Sequence, residues 1–133
     1  MIIESIPSTV SQPIAVVYDF LKNIENLFYL LPQDKISAWT ATSTDCSFKI
    51  QGGIIIPLVL DSLVQNQEIN LVSGPKSPFP FTLSVKLTET ESGTCGQLLF
   101  DAKMSKTIQF IAEKPLRHLF NTMTDNIKVH FEG

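Results

Sequence analysis

The stretch Thr107 to Phe131, TIQFIAEKPLRHLFNTMTDNIKVHF, does most to limit what this chain can fold into. It is the one long helical pattern in the sequence. At about 100° per residue, Ile108, Ala112, Leu116, Leu119, Phe120, Met123 and Ile127 fall on one side. Lys114, Arg117, His118, Asn121, Asp125 and Lys128 fall on the other. Such a helix would run roughly 35–40 Å, the width of a small domain. A stripe this long needs one extended apolar surface to lie on.

The residues before it can form that surface. Ile2 to Thr9 reads as a strand that ends near Pro7. Ser11 and Pro13 then suit the start of a helix. Ile14, Val17, Tyr18 and Leu21 give one short amphipathic helix, and Ile24, Leu27, Phe28 and Leu31 repeat the spacing for a second, stopped by Pro32. From Lys35 the period changes to two. Ile36 to Thr42, Cys46 to Gln51, Ile54 to Val64 and Glu68 to Ser73 read as strands, with polar or glycine turns between them. Pro57 marks a bulge or an edge in the third of these.

Two cleanly alternating strands follow. Phe79, Phe81, Leu83, Val85 and Leu87 line one face of the first; Leu98, Phe100, Ala102 and Met104 line one face of the second. Glu91–Ser92–Gly93 turns the chain between them. The connections are too short for crossovers, so the sheet is antiparallel with one dry face. That face carries Phe48, Ile50, Ile69, Leu71, Phe79, Phe81, Leu83, Val85, Leu98, Phe100 and Met104, and the last helix alone is long enough to cover it. The order is strand, two short helices, six strands, one long helix: an α+β chain forming a single domain over 1–133.

Charge narrows the partners. The net charge is −3 and no basic cluster occurs, so a nucleic-acid footprint is missing and anionic membrane surfaces are disfavoured. MIIESIPSTV lacks the pattern of a secretory leader, and the apolar run from Gly52 to Leu60 is too short to span a bilayer. The expectation is a cytoplasmic protein without stable membrane insertion. Cys46 and Cys95 lie in separate strands with no metal-ligand spacing and are expected to be reduced thiols.

The order of elements, with a long C-terminal helix gripped by a curved seven-stranded sheet, resembles the helix-grip fold of the START/Bet v 1-like superfamily, also called the SRPBCC or polyketide cyclase/dehydrase-like group. The residues that carry the resemblance are SQPIAVVYDFLKNIENLFYLLP after the opening strand, the strands PFPFTLSVKLTE and QLLFDAKM, and EKPLRHLFNTM in the last helix. It spans essentially the whole chain and is greatest to small single-domain bacterial members of uncharacterised role. It implies a cavity between sheet and long helix that takes lipids, sterols, polyketides or other apolar molecules. In this chain such a cavity would be lined by Trp39, Phe48, Ile50, Leu58, Leu60, Phe81, Leu83, Phe100, Met104, Ile111, Pro115, Leu119 and Met123. Thr40 and Ser62 are candidates for orienting polar contacts.

No catalytic set of the enzyme branches and no iron ligands match here, so no catalytic residue, metal or cofactor is expected. The leading expectation is therefore a non-catalytic binder of a small apolar molecule. An alternative is a cyclase- or dehydrase-type enzyme in the same cavity, for which Asp61, interrupting an apolar run, is the best ionisable candidate. A second is a protein-interaction module using Tyr29–Leu30–Leu31 with Ile54–Ile55–Ile56. Aromatic and Met residues serve packed core and cavity wall alike, and the sequence leaves the oligomeric state open. His118 is expected as a solvated residue and His130 as a positive group near the helix C-terminus. Pro115 removes the hydrogen bond to the Ile111 carbonyl; this is read as a bend over a twisted sheet or a hinge beside a cavity mouth.

Overall fold

The computed structural model describes residues 1–132. The strands are β1 (Ile2–Glu4), β2 (Ser8–Val10), β3 (Ser37–Ala41), β4 (Asp45–Lys49), β5 (Ile55–Val64), β6 (Glu68–Ser73), β7 (Phe81–Thr90) and β8 (Gly93–Ala102). The helices are α1 (Ile14–Leu21), a 3-10 helix (Ile24–Leu30) and α2 (Lys106–Glu132). One antiparallel sheet runs β1-β8-β7-β6-β5-β4-β3, with β2 also on β8, and it curves without closing. This is the α+β, helix-grip-like architecture.

The first strand is broken. β1 pairs Ile3 with Phe100 and β2 pairs Thr9 with Cys95, both on β8. Pro7 cannot donate to a ladder, and Ser5 takes its place with a side chain. The Leu98 amide donates to Ser5 Oγ at 2.8 Å, and Gln97 Nε2 donates to the Ser5 carbonyl at 2.8 Å.

The second short helix is 3-10 rather than α. Its buried residues are Ile24, Leu27 and Leu30. Spacing of three suits three residues per turn, and Leu31 leaves the helix extended ahead of Pro32.

Alternation in the long strands survives intact. Phe81, Leu83, Val85 and Leu87 are buried on β7, and Thr94, Gly96, Leu98, Phe100 and Ala102 on β8. Two bulges interrupt the ladders. On β3, Ala38 and Trp39 stand opposite Phe48 alone, and Ala38 takes a left-handed φ of 56°. On β5, Asp61 is the extra residue between Leu60 and Ser62. At the β7–β8 turn a Cβ on Gly93 would lie 2.0 Å from the Val10 carbonyl oxygen, so this position requires glycine.

Ser105 starts α2, its Oγ accepting from the Ile108 amide at 3.3 Å. The expected stripe is the one that packs: Ala112, Leu116, Leu119, Phe120, Met123 and Ile127 are buried, joined by Thr124. The buried Thr124 hydroxyl is satisfied by the Phe120 carbonyl one turn back, at 3.2 Å. The helix lies on β2, β8 and the 3-10 helix. Three of its polar side chains hold backbone elsewhere. Asn121 Oδ1 accepts from the Ile6 amide at 2.9 Å, Asn126 Nδ2 donates to the Leu30 carbonyl at 2.8 Å, and Glu132 Oε1 accepts from the Ser11 amide at 2.7 Å.

Candidate ligand-binding cleft

The centre of the sheet's dry face is filled by side chains. The rings of Phe81 and Phe100 lie 5.3 Å apart, and those of Phe100 and Phe120 lie 4.8 Å apart. Phe48, Leu58, Leu83 and Met123 are sealed in the same core. Six of the expected cavity residues, Phe48, Leu58, Phe81, Leu83, Phe100 and Met123, therefore sit in packed interior. Trp39, Leu60 and Met104 are half-buried at its margin. Trp39 is turned by the β3 bulge against Phe28 and Phe48, at 5.4 and 6.1 Å between ring centroids.

Ile50, Ile111, Pro115 and Leu119 meet elsewhere. With Pro32, Lys35, Ile36, Gln51, Phe110, Lys114 and His118 they line a half-open cleft of about 540 Å³. That volume lies within the range of small-molecule sites, roughly 300–1,000 Å³. Three elements build it. The chain leaves the 3-10 helix at Leu31 and turns after Pro32, the Lys35 amide donating to the Pro32 carbonyl at 2.8 Å. The β4–β5 turn brings in Ile50 and Gln51, its reversal made by Gly52 and Gly53 at φ of 87° and 76°. The first half of α2 forms the remaining wall.

That first half leaves apolar surface uncovered: Phe110 is 89% exposed and Ile111 61%. Pro115 has no amide hydrogen to give the Ile111 carbonyl, so the helix is weakened beside the cleft. The helix nonetheless continues through it from Lys106 to Glu132.

Electrostatically the cleft is one-sided. Lys35, Lys114 and His118 line it and no carboxylate does. Lys35 Nζ lies 3.3 Å from His118 Nε2. The ion pairs among the described residues join Asp19 to Lys22 and Glu68 to Lys86, leaving both cleft lysines out. Spacing along the helix placed His118 on the polar side, where it is. Its approach to Lys35 could not be read from positions 83 residues apart.

The other candidates lie away from the cleft. Asp61 is exposed at its bulge, so that position supplies no inward carboxyl. Thr40 is exposed, and Ser62 Oγ accepts from Asn70 Nδ2 at 3.1 Å on the surface. In the anticipated interaction patch Tyr29 is exposed, but Leu30, Leu31 and Ile56 are buried. His130 stacks on Phe20 at 4.2 Å between centroids, with Tyr29 and Phe131 beside it, an aromatic cluster that sequence reasoning missed. Its signal was three aromatics at the ends of neighbouring helices. Cys46 and Cys95 are free thiols. Burial, with the Asp45 carboxylate adding to it, pushes the Cys46 thiol up to about 12, which keeps it protonated and unreactive. Among the described residues no helix is long and apolar enough to cross a membrane.

A helix-grip-like α+β fold with an open cleft at one end of its long helix is the class this geometry defines. No family model matches the sequence, and no curated protein matches it. Solved structures do. The KanY protein, solved by NMR, superposes with a TM-score of 0.78 at 14% identity, covering 100% of this chain and 98% of that one. Protein NE0264 from Nitrosomonas europaea gives 0.71 at 14% identity, covering 99% and 94%. XoxI from Bacillus cereus gives 0.70 at 11% identity, covering 97% and 95%. At these identities the likeness is one of fold.

Proposed function

We propose that this chain is a START/Bet v 1-like (SRPBCC) protein that binds a small apolar molecule, without catalysis, in the cleft between the first half of α2 and the turns at Pro32 and Ile50. The carrying observation is the pairing of a cleft of about 540 Å³ with the uncovered side chains of Phe110 and Ile111 at its wall. Large apolar groups left in water beside a concavity gain free energy when a ligand covers them, roughly 25 cal/mol per Å² of apolar surface buried. Leu119, itself part of the buried core, and half-buried Pro115 form the inner wall. The sequence resemblance supports the same reading, and overlays that run the length of the chain support its fold. The exposed position of Asp61 favours a binder over the cyclase-type alternative. Free thiols at Cys46 and Cys95 agree with a reducing, cytoplasmic setting.

Native mass spectrometry of freshly purified protein, followed by identification of organic-extractable material, tests this. The expected result is a stoichiometric apolar adduct that Ile111→Asp abolishes, because the substitution places a charge on the apolar wall without touching the core. An adduct retained in full by that variant, or no adduct and no uptake of an added alkyl alcohol, would refute the reading.

A further inference from the structure

We infer that the occupant of this cleft is an anionic amphiphile: a single alkyl chain ending in a carboxylate. The inference rests on the apolar-ligand reading above and specifies its head group. The chain as a whole is acidic, with 13 Asp and Glu against 10 Lys and Arg. The cleft reverses that balance, since Lys35, Lys114 and His118 line it and no Asp or Glu does. Asp34 and Glu113 are sequence neighbours of the two lysines, yet neither lines the cleft.

The Lys35–His118 contact carries the point further. An ammonium 3.3 Å from Nε2 either donates to a neutral imidazole or faces a second cation. In the first case Lys35 keeps two further N–H donors, and in the second both groups need a counter-charge. A carboxylate meets either requirement, with two oxygens and about four lone-pair sites to share between Lys35 and Lys114. An alcohol offers one oxygen with two lone pairs and no charge, and a quaternary ammonium is repelled. The tail would then lie along Ile50, Pro115 and Leu119 with Phe110 and Ile111 closing over it. Because the cleft is half open, the charges stay near water, which limits the cost of bringing an anion to them.

Binding of decanoate, 1-decanol and decyltrimethylammonium, each measured calorimetrically below its aggregation limit, decides this. Decanoate is expected to bind about tenfold or more tightly than 1-decanol, with decyltrimethylammonium weakest. K35Q/K114Q should bring the decanoate-to-decanol affinity ratio down to about one. Both lysines are on the surface, and an unchanged thermal midpoint shows that the variant is folded. Equal affinity of decanoate and decanol, or a ratio that K35Q/K114Q leaves in place, overturns the carboxylate assignment while the apolar-ligand reading stands. Binding of none of the three probes overturns both.

Discussion

From Leu116 to Glu132, α2 is clamped; from Lys106 to Pro115 it is scarcely held. The second half buries Leu116, Leu119, Phe120, Met123 and Ile127 and ties down two loops and the end of the 3-10 helix through Asn121, Glu132 and Asn126. The first half buries Ala112, half-buries Ile108, and leaves Phe110 and Ile111 in water. Both halves are rich in large apolar side chains. What separates them is the surface opposite: Asn121, Asn126 and Glu132 tie the second half to Ile6, Leu30 and Ser11, while the cleft faces the first half and reaches past the join only to His118 and Leu119. One helix thus serves as structural anchor and as wall of the cleft, with Pro115 close to the join.

The sharpest break between the halves should come from two phenylalanines. Phe120→Ala is expected to cost about 3–5 kcal/mol, and Phe110→Ala less than about 0.5 kcal/mol, in urea unfolding. Equal costs would dissolve the distinction. Next in size, Gly93→Ala forces a Cβ onto the Val10 carbonyl and so disturbs β2, the seat of the clamped half. A loss of about 2–3 kcal/mol is expected. Wild-type stability would mean that β2 yields freely.

Pro115→Ala should act in the other direction. It returns a donor to the Ile111 carbonyl, and a gain of about 1–2 kcal/mol is expected, with slower amide exchange confined to residues 107–114. Slowing across the whole helix would show that the halves are coupled. Asn126→Ala removes the bond to Leu30 and is expected to cost about 1 kcal/mol, read in the same urea series.

The smallest effect is set by pH. The Ser11 amide, with the Ser11 hydroxyl second, holds the Glu132 carboxyl below its ordinary value. A lowered folded-state pKa means that the contact contributes above the unfolded carboxyl's pKa and is lost as pH falls through the folded value. The Ser11 amide resonance should therefore move below the usual carboxylate range while the amides of residues 107–114 do not. Movement of both sets together would contradict a local latch.

Much of this was legible in advance, and the reasons are physical. The stripe Ala112 to Ile127 and the alternation from Phe81 to Leu87 repeat with the period of their own element, so neighbouring residues carry the signal. The 3-10 helix was less accessible, because Leu27 satisfies spacings of three and of four equally well. Ser5 replacing a ladder bond, Lys35 meeting His118 and Phe20 stacking on His130 join residues far apart in the chain, and no local period encodes them. The cleft itself was not read. Ile50, Ile111, Pro115 and Leu119 were expected in one cavity over the dry face, and they line a cleft beside it. Phe48, Phe81 and Phe100 belong to the same chemical class and went instead into the packed interior, because a ring that finds other rings fills space and one that does not lines it.

The bulge at Ala38 bears on how many copies of this chain can share a solution. β3 ends the sheet, and an end strand offers unpaired amides and carbonyls to any passing strand. With two residues set against Phe48 and Ala38 in a left-handed turn, that rim is kinked and makes a poor template for sheet extension. Deleting Ala38 would straighten it, and rising light scattering at high concentration is the expected sign. A fault in the ladder thereby works as a guard against fibrous growth.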